Sequence, residues 1–182
     1  TLMMTVLPLA KIGKLLNRRD YIEEAKRQFM VHTKYLADRE TGLWFHGFTF
    51  KEKNHFANAL WARGNCWITI AIPEIIDILE LTPDDGLYLF LVETLRSQVK
   101  TLAKLQHKSG LWSTLLMDSE SYEESSATAG FAYGILKAVR KGYLDKKYQE
   151  VGENAIAALL EKIDETGEVK DVSVGTGMGE DL

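Results

Sequence analysis

Three stretches of this chain contain no Asp, Glu, Lys or Arg: Leu2 to Ala10, Gly64 to Pro73 and Ser125 to Leu136. Each is about three helical turns long, and a helix that is apolar all round must be covered all round. Between them lie segments of the opposite kind. From Asp20 to Ala37, Ile22, Ala25, Phe29, His32 and Leu36 recur at the 3–4 spacing of one helix face, with Glu23, Glu24, Lys26, Arg27 and Lys34 on the other. Pro83 to Gln106 repeats this through Leu91, Leu95, Val99, Leu102 and Leu105, with Thr82 as N-cap and Pro83 as the first helical residue. Asp145 to Ile163 repeats it through Tyr148, Val151, Ala155, Leu159 and Ile163. Covered helices alternating with half-covered ones predict an inner layer surrounded by an outer one. No stretch alternates with period two, so any sheet is confined to short pieces in the connections.

The connections repeat too. Asp38-Arg39-Glu40-Thr41-Gly42-Leu43-Trp44, His107-Lys108-Ser109-Gly110-Leu111-Trp112 and Asp164-Glu165-Thr166-Gly167-Glu168-Val169 each follow an amphipathic segment. Gly42, Gly110 and Gly167 are predicted at helix C-caps, where positive φ is needed. The chain therefore reads as one helical hairpin used three times. The starts of the inner helices (Thr1, Arg63-Gly64, Ser125 and the region of Gly175 to Gly179) should meet at one rim. Six such hairpins close a two-layer α/α toroid. Three make half of one, so residues 1–182 are expected to be a partial barrel domain, incomplete at both ends, whose inner helices need the other half or another chain to cover them.

Several functions are excluded at this level. The 182 residues carry 22 basic and 26 acidic side chains, a formal charge of −4 with no basic block, which argues against nucleic acid or a polybasic membrane surface as partner. No apolar run reaches the roughly 18 residues that span a bilayer, and no signal-peptide pattern opens the chain, so a cytoplasmic location is expected. The lone Cys66 allows no internal disulfide and has no histidine near it in sequence. No His, Cys or carboxylate spacing calls for a metal, and no motif calls for a cofactor. Val174-Gly175-Thr176-Gly177-Met178-Gly179 is glycine-rich but follows no strand–helix dinucleotide pattern.

Chemistry is expected where the repeat breaks. Trp44 and Trp112 share a phase and read as aromatics closing their hairpins. Two residues later one repeat has His46 and the other Thr114, so His46 is either a satisfied structural histidine or a group that binds or donates a proton. His32 reads as core, and His55 and His107 as loop and helix-end residues. In Trp61-Ala62-Arg63-Gly64-Asn65-Cys66-Trp67, two tryptophans flank an arginine at the start of an apolar helix, where the macrodipole disfavours a cation. An anionic ligand would explain it, since guanidinium forks bind carboxylates and indole faces stack on sugar rings; buried indoles in a hairpin corner are the plainer reading. Glu124 opens the third charge-free segment, either as an acid complementing the helix dipole or as a working carboxylate, for instance with Asp118 in a two-carboxylate glycosidase.

Four segments in order, Gly42-Leu43-Trp44-Phe45-His46-Gly47, Trp61 to Trp67, Tyr122-Glu123-Glu124-Ser125-Ser126-Ala127-Thr128-Ala129 and Gly175-Thr176-Gly177-Met178-Gly179, resemble the unsaturated rhamnogalacturonyl hydrolases and related unsaturated glucuronyl hydrolases, glycoside hydrolase families 105 and 88. The resemblance covers essentially the whole chain. It implies an all-α (α/α)6 barrel about twice this length. It also implies short oligosaccharide substrates ending in a 4,5-unsaturated uronic acid, above all unsaturated galacturonyl-rhamnose from pectin. In such enzymes an aspartic acid protonates carbon 4 of the vinyl ether, water adds at carbon 5, and the hemiketal collapses to release the aglycone. The resemblance carries His46 and Arg63 onto substrate-contacting positions and Trp61 and Trp67 onto rim tryptophans. Thr1-Leu2-Met3-Met4 matches the segment after the catalytic aspartate, which is expected one residue before Thr1, outside this sequence. Cys66 stands where the family usually has glycine and is expected to crowd the helix start. Phe48-Thr49 stands where tryptophan and aspartate are common. The competing expectation is a degenerate α/α fragment without activity that binds a sugar acid or a protein partner.

Overall fold

A computed structural model describes residues 2–55 and 57–173. Thr1 and the stretch Gly175 to Gly179, both assigned to the rim above, lie outside the described residues. Helix α1 (Leu7–Leu15) is preceded by a π-helical turn, Leu2–Val6, and followed by α2 (Arg19–Leu36). Then come α3 (Ala62–Leu79), α4 (Gly86–Leu105), the short strands β1 (Trp112–Ser113) and β2 (Glu123–Glu124), α5 (Ser125–Arg140) and α6 (Gln149–Leu160). The charge-free segments begin α1, α3 and α5, which stand side by side: α3 packs against both α1 and α5. Each carries its outer partner, α2 on α1, α4 on α3 and α6 on α5. The two layers predicted from the alternation are present. The core between them is aliphatic and dense, with Ala25, Phe29, Ile72, Leu91, Leu95, Trp112, Phe131 and Ile135 all buried.

One face of the inner row is not covered among the described residues. Met4 and Pro8 of the first inner segment and Ala129 and Tyr133 of α5 are exposed, although their helices contain buried residues on the other sides. That is the half-open inner layer expected of three hairpins.

Three local readings need correction. Helix α4 does not start at Thr82-Pro83. The Asp85 carboxylate accepts from Thr82 N (2.7 Å) and Thr82 Oγ1 (3.1 Å) while Asp85 N donates to Thr82 O (2.9 Å), closing a turn that delays the helix to Gly86. The third amphipathic segment opens as a 3-10 turn, Lys146–Tyr148, capped by the Asp145 carboxylate, and its α-helix ends at Leu160. Gly42, Gly110 and Gly167 do have positive φ (74°, 92° and 86°), but the helices have already ended, and the glycines sit in the reverse turns that follow. There Asp38 N bonds Leu43 O, His107 N bonds Leu111 O, and Asp164 N bonds Glu168 O (2.8, 3.0 and 3.0 Å). A Cβ on Gly42 would strike Ser97 of α4, and one on Gly110 would lie 2.6 Å from Asn154 O of α6. The first two turns are thus pressed on the outer helix of the next hairpin, which no side chain at Gly42 or Gly110 allows.

The turns lead into short extended pieces that the start of the next inner helix holds. Asn65, fully buried in the first turn of α3, accepts from Trp44 N (2.8 Å) and donates to Trp44 O (2.9 Å) and Trp61 O (3.0 Å). Gln98 of α4 supports it, donating to Asn65 O (3.1 Å) and Oδ1 (3.2 Å). In the next repeat Thr128 plays the corresponding part: its hydroxyl accepts from Trp112 N (3.3 Å) and donates to Glu124 O (2.7 Å). The positions two residues past the tryptophans also match, His46 N donating to Ala59 O (2.9 Å) and Thr114 N to Tyr122 O (2.8 Å). Among the described residues, sheet structure is confined to the connections, with Trp112 opposite Glu124 and Ser113 opposite Glu123.

At the far end of α3 a charged cluster ties it to α5. Lys137 Nζ, nearly buried, reaches Glu74 Oε1 (2.5 Å) and Asp77 Oδ2 (3.0 Å), and Lys141 reaches Asp77 Oδ1 (3.0 Å). Burial pushes both carboxyls up, but the hydrogen bonds and charge of the lysines outweigh it and hold them below their ordinary values. A carboxylate so held adds stability above its unfolded value and loses it as pH falls through the folded one.

Two outcomes follow. Lys137→Ala should cost about 3 kcal/mol by urea unfolding near pH 7, and distinctly less in acid, once the pH has fallen through the lowered folded values of Glu74 and Asp77. An equal loss at both would refute the coupling. Asn65→Ala strands Trp44 N, Trp44 O and Gln98, and should cost roughly 2–3 kcal/mol; a cost under about 0.5 kcal/mol would show that the Trp44 turn holds itself.

Candidate active site

The mouth of the inner row is where the conspicuous residues meet. Trp61 is extended (φ −70°, ψ 127°), so it stands outside the helix that begins at Ala62 and leaves its indole on the rim. Arg63, the second residue of α3, passes beneath it, with Cζ 5.6 Å from the Trp61 ring centre. Arg63 Nε donates to Ser126 Oγ on α5 (2.8 Å), and Nη2 donates to the carbonyl of Ser173. No carboxylate lies within ion-pair reach of this guanidinium among the described residues, and its Nη1 donates to none of them. It is a half-buried cation oriented by neutral acceptors.

One acid is held a step away. Ser126 Oγ donates to Glu124 Oε2 (2.7 Å), and the fully buried Glu124 is the N-cap of α5. Its oxygens accept from Ser126 N (2.7 Å), Ala127 N (2.8 Å) and Ser173 N (3.4 Å). With both oxygens committed to main-chain N–H groups, Glu124 has no edge left for a glycosidic bond. Asp118 is exposed and accepts from Glu120 N within its own turn (3.0 Å). The two-carboxylate arrangement is therefore overturned, and Glu124 serves the helix.

His46 joins the group from the other side. Its ring stands edge-on to Trp61, with centroids 5.3 Å apart at 76°, and its N–H ties the loop to Ala59 O. The structure thus brings together three of the four residues singled out by sequence: His46, Trp61 and Arg63. Trp67, half-buried, lies one turn beyond Arg63 on the same face of α3 and makes no ring contact with the others. Among the remaining histidines, His32 Nδ1 meets Gln28 O (2.7 Å), His55 Nε2 meets Tyr35 O (2.7 Å) and His107 Nε2 meets Ser113 Oγ (2.8 Å), all as structural ties.

Cys66 does not crowd the helix start. Gly130 of α5 faces it so closely that a Cβ there would come within 2.7 Å of Sγ, and the thiol donates to Arg63 O (3.2 Å). Burial, helped by the charge of Glu124 and opposed by Arg63, pushes this thiol well above the usual range, so it stays protonated and is no nucleophile. Phe48 belongs to an aromatic cluster with Tyr35 (5.0 Å), Phe50 (5.3 Å) and His55 (5.4 Å) that fixes the loop after His46 against α2. No set of three or more His, Cys, Asp or Glu side chains among the described residues is arranged to hold a metal ion.

Three contributors escaped the sequence reading: Asn65 as the clamp of the Trp44 turn, Ser126 as the acceptor for Arg63, and Ser173 as its second acceptor. Asn65 and Ser126 were inside the motifs. The only sequence signal for their roles is that Asn65 and Thr128, and likewise Arg63 and Ser126, occupy the same phase of successive repeats.

Comparison with known proteins shows the family and the fold. Residues 1–181 match the profile of Glycosyl Hydrolase Family 88. The unsaturated rhamnogalacturonyl hydrolase YesR of Bacillus subtilis is 35% identical over 178 residues, 98% of this chain and 49% of that protein. An unsaturated 3S-rhamnoglycuronyl hydrolase of an Alteromonas species is 28% identical over 88% of this chain and 40% of its own length. A crystal structure from Salmonella enterica serovar Paratyphi A, described as a possible member of the GH105 family, superposes with a TM-score of 0.98 at 56% identity, covering all of this chain and 48% of that one. The chain thus spans about half the length of these relatives, and its three hairpins are an α/α toroid segment. It belongs to glycosyl hydrolase family 88.

Proposed function

We propose that this chain supplies the uronate-binding part of a hydrolase of 4,5-unsaturated uronyl oligosaccharides, with unsaturated galacturonyl-rhamnose from pectin as substrate and the cytoplasm as its place of work. One observation carries the reading. Arg63 is held at the mouth of the inner helices by neutral acceptors, with no carboxylate of the described residues in contact with it, beside the indole of Trp61 and the imidazole of His46. Such a cation is poised for a carboxylate, and an indole face suits the apolar side of a sugar ring. Trp67, a turn further in, extends the apolar wall toward the aglycone. The name of the Bacillus subtilis relative supports rhamnogalacturonyl substrates over other uronates.

Hydration of the vinyl ether needs one general acid of raised pKa rather than two spaced carboxylates. None of the described residues fills that place, since Glu124 is locked in its cap. The repeat indicates where to seek it. The N–H groups that open α3 and α5, those of Ala62 and Ser125, donate to Thr114 O and Asp171 O (both 2.8 Å), the carbonyls at the phase of His46 in the following repeats. By that rule the start of the first inner helix belongs beside His46, which fits an aspartate immediately before Thr1. The open face of the inner row, with Met4, Pro8, Ala129 and Tyr133, is to be covered by the other half of the barrel.

The full-length protein should consume unsaturated galacturonyl-rhamnose with loss of the ultraviolet absorbance of the conjugated acid. Persistence of that absorbance with both pectin-derived and glycosaminoglycan-derived disaccharides would refute the activity. Arg63→Ala should raise KM about ten- to a hundredfold, the worth of a charge-assisted contact, with a smaller effect on kcat. An unchanged KM would remove Arg63 from the site.

A further inference from the structure

We infer that Ser126 is a positioning residue that dictates which edge of the Arg63 guanidinium meets the substrate carboxylate. The inference rests on the reading of Arg63 as the uronate anchor and deepens it.

A guanidinium can take a carboxylate bidentately in two ways: side-on through Nε and Nη2, or end-on through Nη1 and Nη2. Here the side-on edge is occupied. Ser126 Oγ sits on Nε at 2.8 Å, and the Ser173 carbonyl sits on Nη2. The hydroxyl has a single hydrogen, and Glu124 Oε2, 2.7 Å away, is an acceptor that takes it. Glu124 cannot turn away, since Ser126 N and Ala127 N hold its two oxygens in the cap. The lone pairs of Oγ therefore face Arg63, and the polarity of the chain Arg63–Ser126–Glu124 is fixed in one direction. Among the described residues, what remains for a ligand is the end-on edge, Nη1 with the second hydrogen of Nη2. An incoming carboxylate finds that edge pre-oriented and need not displace any of the described residues.

The repeat shows how the pairing arises. Arg63 is the second residue of α3 and Ser126 the second residue of α5. At this phase one hairpin carries the cation and its neighbour carries the small hydroxyl that holds it. The α5 cap does not depend on Oγ, because Glu124 keeps its main-chain donors without it, so the hydroxyl is free to serve Arg63.

The test compares Ser126→Ala, Ser126→Thr and Arg63→Ala in the full-length protein, with unsaturated galacturonyl-rhamnose as probe and circular dichroism as the check on folding. Ser126→Ala should raise KM about three- to tenfold, the loss of one orienting hydrogen bond, while kcat changes by less than about twofold. Ser126→Thr, which restores the hydroxyl, should bring KM back. If Arg63→Ala raises KM and Ser126→Ala does not, the positioning role is wrong and the anchor stands. If neither changes KM, the anchor reading itself fails. A Ser126→Ala protein that does not fold, or a Ser126→Thr protein with the KM of Ser126→Ala, would assign the hydroxyl to the scaffold and overturn the inference.

Discussion

The rim depends on a single buried amide. Removing Asn65 from water would be costly were any of its bonding capacity idle, since an unpaired buried amide loses several kcal/mol. None is idle. Oδ1 takes Trp44 N and a Gln98 hydrogen, and Nδ2 gives to Trp44 O and Trp61 O. Because two of these bonds grip the same residue across the gap between hairpins, the amide fixes where the Trp44 turn lands and how it is rotated. His46 follows two residues later, and Trp61 is held by the same Nδ2. The aromatic side of the candidate site is in this sense a consequence of one satisfied polar group in the first turn of α3. The Thr128 hydroxyl, which does the matching job in the next repeat, makes only one bond to its tryptophan, and that repeat carries a threonine at the phase of His46.

What the sequence made legible is what local periodicity encodes. The 3–4 spacing located α2 and placed Ala25 and Phe29 in the core, and the absence of charge marked α1, α3 and α5 as the inner row. The recurring glycines gave positive φ correctly; at Gly42 and Gly110 the turn doubles back on a packed helix that leaves no space for a Cβ, whereas at Gly167 the backbone conformation alone calls for glycine. Boundaries failed where a side chain competes with the helix for main-chain groups. Asp85 closes a turn on Thr82 and defeats the Thr82-Pro83 start, and Glu124 acts from just outside α5 rather than within its first turn. The contacts of Ser126 and Ser173 with Arg63 were out of reach, because they join residues 63 and 110 positions apart, and no spacing rule spans two hairpins.

Two cations on α3 and α5 show how surroundings decide what a charge is for. Lys137 sits against two carboxylates, and its charge is consumed there: burial works against the charge, pairing with Glu74 and Asp77 outweighs it, and the cluster binds α3 to α5. Arg63, at the opposite end of the same helix row, is half-buried, yet among the described residues its guanidinium meets a hydroxyl, a carbonyl and an indole face. Neutral acceptors orient a cation without neutralising it. A carboxylate arriving at Lys137 would have to evict Glu74 or Asp77, losing one charge-assisted bond for each it makes. At Arg63 it gains a new ion pair in a partly dehydrated setting, and the donors need not reorganise to receive it. The helix dipole of α3, which disfavours a cation at this position by about 0.3–1 kcal/mol, turns to advantage once an anion is bound, because the same N–H groups attract it. The local cost of placing arginine at the start of α3 is thus small beside a charge-assisted contact, and it is recovered only when a negatively charged ligand is in place.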